Sequence, residues 1–106
     1  MGAPVNHKRL KPRLRSQPAF IAWVVEQGCT VCGAPAEFHH VRTGQRGRDD
    51  SWGVALCPRH HRHGPEAFHT LGSNARFQEA HGICLVTVAE WNREQGLAKG
   101  LIRADR

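Results

Sequence analysis

The chain has 106 residues, with 15 Lys and Arg against 9 Asp and Glu and hydrophobic residues at 40%, enough for one domain with a thin core. The sequence pI of about 9.9 points to a polyanionic partner, nucleic acid foremost. No stretch approaches the ~20 apolar residues of a membrane span, and no apolar run of a secretory leader follows the basic N-terminus, so a cytoplasmic chain is expected.

Residues 1–15 carry Lys8, Arg9, Lys11, Arg13 and Arg15, no acid, and Pro4 and Pro12. They read as a flexible basic arm able to order on phosphate, leaving 16–106 as the folded domain. Ser16 suits an N-cap and Pro18 a first helical turn. Phe20, Ile21, Trp23, Val24 and Val25 give that helix a broad apolar face, and Gly28 stops it. A cysteine knuckle, Cys29 to Cys32, follows, turned by Gly33 and Pro35. Ala36 to Val41 reads as a strand carrying His39 and His40. Arg42 to Asp50 is a loop, and Trp52 to Leu56 is a second strand. A helix begins near Pro58, carries His60 and His61, and is broken or kinked at Gly64-Pro65. Asn74 to His81 is predicted as another helix, with Phe77 and Ala80 on one face and Gly82 ending it. Thr87 and Glu90 match a capping box for a last helix through Gln95, with Val88 and Trp91 facing inward.

Four cysteines without a secretory leader favour metal or redox chemistry over disulfides. A thioredoxin-like motif would follow a strand and open a helix, whereas here a helix leads in. The spacing C-x₂-C…C-x₂-H, formed by Cys29, Cys32, Cys57 and His60, fits tetrahedral zinc. Such an ion clamps the first helix to the strand–helix unit, and the apo chain is expected to be largely unfolded. Cys84, between Ile83 and Leu85, reads as an apolar packing residue.

The remaining histidines set this chain apart from a plain zinc knuckle. Phe38-His39-His40-Val41, Asp49-Asp50, Leu56-Cys57 with His60-His61, and His69-Thr70-Leu71-Gly72, with the Cys29–Cys32 knuckle, resemble the HNH, or ββα-metal, nuclease family. The flanks, Phe20 to Val25 and Phe77 to Ile83, are similar to small phage HNH proteins, including the recombination-enhancing nuclease type. The resemblance implies a small α+β fold: a ββα-metal motif with a zinc knuckle and flanking helices.

It also implies a divalent-metal-dependent DNA endonuclease, a phosphodiester hydrolase of a bacterial or phage-infected cell. His40 is then the general base, and His39, His61 and a later histidine hold the catalytic metal. In many relatives that histidine comes four residues after His61, where this chain has Pro65. His69 is preferred, and His63 is turned off His61's helical face by two residues of rotation. The family's middle Asn is absent, and Asp50 sits where it could take that role. Arg42, Arg46, Arg48, Arg59, Arg62 and Arg76 surround the motif as candidate phosphate contacts. Three imidazoles suit Mn²⁺, Ni²⁺ or Zn²⁺ better than Mg²⁺, which binds if phosphate and water complete its shell. A neutral imidazole, with a pKa near 6.5, accepts a proton at neutral pH. The alternative is a non-catalytic, zinc-stabilised nucleic-acid-binding module. A recombinase or packaging partner is left open.

Overall fold

The computed structural model describes residues 16–43 and 48–103. The expected basic arm, and Arg46 among the candidate phosphate contacts, lie outside the described residues. The chain is a small α+β protein with a two-stranded antiparallel sheet and, among the described residues, four α-helices and one π-helical turn. No helix among them is long and apolar enough to cross a membrane.

Helix α1 spans Pro18–Glu26 and buries Phe20 and Val24. Its cap is Gln17, one residue later than the sequence suggests, and no side chain caps it. Pro18 has no N–H to satisfy, so the cap is free for other work. Gln17 uses its amide to hold the far end of the chain: Nε2 donates to the Arg103 carbonyl at 3.0 Å, and the Arg103 N–H donates to Oε1 at 2.7 Å. Gly28 ends the turn with φ +84°, a left-handed value that glycine adopts without penalty.

The knuckle closes through Gly33 N–H to Cys29 C=O and Cys29 N–H to Ala34 C=O, each 2.8 Å. Thr30 fastens it to the sheet, its N–H at 2.8 Å and its hydroxyl at 2.9 Å both donating to the Ala55 carbonyl. Strand β1 (Glu37–His40) pairs with β2 (Gly53–Leu56) in the register Glu37↔Leu56, Phe38↔Ala55, His39↔Val54, His40↔Gly53. All of β2 is buried, because both its faces are covered. Val54 and Leu56 pack with Phe77, Leu85 and Ala89, whereas Ala55 packs with Phe20 and Val24. That alternation is the period-two pleat.

The segment after Pro58 is a π-helical turn, Arg59–His63, closed by Gly64 N–H on the Arg59 carbonyl at 3.0 Å. A short helix α2, Phe68–Leu71, follows where no element was predicted. Helix α3, Asn74–His81, has the predicted bounds; Ser73 caps it by accepting from Arg76 N–H at 3.1 Å, and Gly82 ends it. Phe77 is buried, but Ala80 is exposed. Helix α4 runs Leu85–Ala98 with Cys84 as its cap, three residues earlier and three later than the predicted capping box and end allow. Its buried positions are Leu85, Ala89, Asn92 and Gly96, one stripe at ~100° per residue. Trp91 lies off that stripe and is 52% exposed, so it does not pack inward as predicted; Val88 does pack at the core's edge.

Gly53 is the tightest point of the hairpin beneath the histidines. A Cβ built there would overlap the Phe38 ring and stand 2.6 Å from the His39 carbonyl. Gly53→Ala is therefore expected to destabilise the fold by about 1–3 kcal/mol through overpacking. An unchanged thermal midpoint would show that β1 moves aside freely.

Candidate metal centre and histidine cleft

Two separate clusters grow from these elements. The first lies where the knuckle after α1 meets the end of β2. Cys29, Cys32, Cys57 and His60 place one ligand atom each within 4.8 Å of one another. Cys32 Sγ and Cys57 Sγ are 3.8 Å apart, and His60 Nδ1 lies 3.2 Å from Cys57 Sγ and 3.7 Å from Cys29 Sγ. Two thiolates on one tetrahedral zinc at ~2.3 Å stand about 3.8 Å apart, so these spacings are edges of a coordination tetrahedron. These four residues are thus arranged to hold a metal ion, and the donor set suits zinc.

The protonation chemistry agrees. Burial pushes the Cys29 thiol up, but N–H groups of Cys57, Cys32 and Val31 outweigh it and hold the thiol below its ordinary value. For Cys32, the Ala34 N–H pulls down, while desolvation and the neighbouring sulfurs prevail and hold it above. Crowded sulfurs that resist ionising together are the ones a dication relieves. Burial, then the His81 ring, keeps the His60 imidazole neutral. His81 is itself packed rather than a bare surface residue: its ring lies 4.3 Å from Phe77, and Nε2–H donates to the Glu66 carbonyl at 2.7 Å. Cys84 is half-buried at the cap of α4.

The second cluster lines a cleft of about 640 Å³. Strand alternation sends the adjacent histidines to opposite sides of β1. His39 turns inward, with Nδ1 at 3.2 Å from His61 Nε2. His40 turns the other way, beside Phe38, and its Nε2 meets Asp50 Oδ1 at 2.8 Å. Both still reach the cleft because β1 ends there.

The π-helical turn makes its own division. His60 faces the sulfur cluster and His61 the cleft. An extra residue in the turn is a recurrent device at functional sites. Helix α2 adds His69, whose ring lies 4.8 Å from that of His61. His63 is exposed and does not line the cleft.

Glu37 does not line the cleft but holds two residues that do, His61 and Arg62, and sequence reasoning missed it. Its Oε2 accepts from His61 Nδ1–H at 2.5 Å and from Arg62 Nε–H at 2.7 Å. Arg62, then His61, holds its carboxyl below the usual carboxylate range. A carboxylate only accepts, so His61 carries its proton on Nδ1 and aims the Nε2 lone pair at His39. Burial holds His61 below its ordinary pKa, and burial with the neighbouring imidazoles pushes His39 down to about 3. Both rings are therefore neutral at physiological pH. The available signal was the pleat, which puts Glu37 and His39 on one face of β1.

Two imidazole nitrogens bound to one ion at ~2.0–2.1 Å stand roughly 2.9–3.4 Å apart, so the 3.2 Å spacing of His39 and His61 could span one. His69 adjoins them without matching the convergence of the first cluster: among the described residues, only Cys29, Cys32, Cys57 and His60 bring three or more ligand atoms mutually within 4.8 Å.

Asp50 contacts His40 and receives the Gln17 N–H at 3.4 Å, so its contacts centre on the imidazole. The neighbouring loop is shaped by Asp49, whose Oδ1 accepts from the N–H and hydroxyl of Ser51 at 2.9 and 2.8 Å. Arg42, Arg48 and Arg62 line the cleft; Arg59 and Arg76 are exposed and do not. Comparison with family models, curated proteins and solved structures finds no match.

Proposed function

We propose that this chain is a divalent-metal-dependent DNA endonuclease of the HNH type, with the ββα-metal motif formed by β1, β2 and the π-helical turn. The observation that carries the reading is the pairing of two different imidazole arrangements in one cleft. His40 is held by a carboxylate at 2.8 Å. His39 and His61 face each other at 3.2 Å. Arg42, Arg48 and Arg62 supply the positive lining.

In this mechanism Asp50 accepts from His40 Nε2–H and leaves Nδ1 as the free lone pair. His40 Nδ1 takes a proton from the attacking water, and the resulting imidazolium is stabilised by the Asp50 carboxylate. The arginine guanidiniums bind and orient the flanking phosphates. His39 and His61, with the adjacent His69, would hold the divalent ion. When bound, that ion stabilises charge developing on the phosphate and the leaving oxygen. Imidazole donors favour Mn²⁺, Ni²⁺ or Zn²⁺ over Mg²⁺.

The direct test is incubation of the protein with supercoiled plasmid and each divalent ion in turn. Nicking with Mn²⁺ or Ni²⁺ at least as fast as with Mg²⁺ is expected. DNA binding without nicking, whatever the metal, supports the second reading, a zinc-stabilised nucleic-acid-binding module. That reading is favoured by the sulfur cluster being the only fully convergent ligand set among the described residues. A recombinase or packaging partner that directs cleavage belongs to the same proposal.

Glu37 supplies an independent check on the metal. An outer carboxylate on a ligating histidine typically contributes 10–100-fold in affinity. Glu37→Ala is therefore expected to weaken Mn²⁺ binding, measured by calorimetry on zinc-loaded protein, by about that factor. Equal affinities for variant and wild type would remove Glu37 from the site.

A further inference from the structure

Phe38 and His40 share one face of β1, because strand side chains alternate. Opposite His40 on β2 stands Gly53, which has no side chain to set beside the imidazole. The Phe38 ring takes that space: a Cβ on Gly53 would overlap it. The ring then meets His40, with centroids 4.9 Å apart and planes crossed at 79°. From the other side it is backed by Phe20 of α1, at 6.4 Å and 74°. Phe20 is itself fully buried, so the Phe38 ring has no room to retreat.

This packing answers a need that Asp50 leaves open. The carboxylate holds His40 at one atom, Nε2, at 2.8 Å. One hydrogen bond places that nitrogen but not the plane of the ring, and the outer torsion of a histidine side chain is broad. The direction of the Nδ1 lone pair follows that plane. A second wall against the imidazole therefore decides where the base points. Phe38 carries no group that ionises or hydrogen-bonds, so it supplies this wall without competing for the proton.

We propose that Phe38 is a positioning residue of the nuclease: seated in the space left by Gly53 and backed by Phe20, its ring fixes the plane of the imidazole that Asp50 holds by one nitrogen. This inference rests on the nuclease reading of the cleft. It makes Gly53 part of the same device, since the missing side chain opposite His40 is what admits the ring.

The test uses the full zinc-loaded chain with plasmid substrate and Mn²⁺. Phe38→Leu and Phe38→Met keep an apolar side chain against Phe20 but lose the planar wall. For both, kcat is expected to fall about 10- to 100-fold, the scale of a misplaced reacting group. KM and DNA affinity without divalent ion should stay at wild-type values. The residual rate of His40→Ala should fall no further when Phe38→Leu is added, because no imidazole is left to orient. Wild-type kcat in both Phe38 variants overturns the inference while the nuclease reading stands. An equal fold-loss with and without His40, or a loss of DNA affinity alongside kcat, shows that Phe38 does not act through the base and also overturns it. So does failure of both variants to fold, which makes the ring a core residue only. Wild type that binds plasmid but nicks it with none of the divalent ions removes the nuclease reading, and this inference with it.

Discussion

Cys57→Ser is expected to leave the domain largely unfolded at 25 °C. Cys57 closes β2 and opens the π-helical turn, and its sulfur stands 3.8 Å from Cys32 Sγ and 3.2 Å from His60 Nδ1. Its loss removes one of the four ligands. Apparent binding energies of structural zinc in small modules reach about 10–16 kcal/mol. Net domain stabilities are ~5–15 kcal/mol, so the clamp and the whole fold are of the same size. What remains without it is modest: two small core clusters, one centred on Phe77, Leu85 and Leu56, the other on Phe20, Val24 and Ala55. The serine side chain nearly preserves shape, so the change reports coordination and not packing. Circular dichroism, thermal melting and zinc content measured together decide the point. A cooperative wild-type melt in the variant, or in wild type stripped by a chelator, would show that the hydrophobic clusters suffice.

His40→Ala is expected to abolish nicking while folding and DNA binding persist. Removal of a positioned general base costs about 10²–10⁴-fold. His40 is only half-buried, and its ring touches Phe38 and the Asp50 carboxylate. Neither core cluster includes it, so truncation should leave the melt close to wild type. Asp50→Asn makes the complementary change. It retains the shape but loses the charge that stabilises the imidazolium, so a smaller loss of rate is expected than for His40→Ala. Nicking by His40→Ala at the wild-type rate would end the assignment of the base. Loss of DNA binding together with nicking would instead place His40 in substrate binding.

Much of the framework was legible because local chemistry is strongly coded. Gly28 and Gly82 end helices where left-handed backbone is required, and Ser73 announces α3. The two strands appear within the predicted spans, each slightly shorter. Where local signals misled, a tertiary demand prevailed. Thr87 and Glu90 form a plausible cap, yet α4 begins at Leu85 because that side chain is fully buried among Phe77, Val54 and Leu56. Ser16 yields to Gln17, whose amide is spent on the C-terminal segment 86 residues away.

The chain's own letters determined the metal cluster: cysteine and histidine at two-residue intervals can reach one ion because each knuckle is a local turn, closed by bonds within a few residues. The cleft is another matter. Which histidine faces which cluster depends on the pleat of β1 and on one additional residue in the π-helical turn, and neither leaves a mark in composition. The partnerships of Glu37 with His61, Asp50 with His40 and Asn74 with Arg42 join residues 24, 10 and 32 positions apart. Spacing constrains only what a turn or helix can bring together. Contacts across the sheet and between helices exist only once the hairpin, the clamp and α3 have set the walls of the cleft.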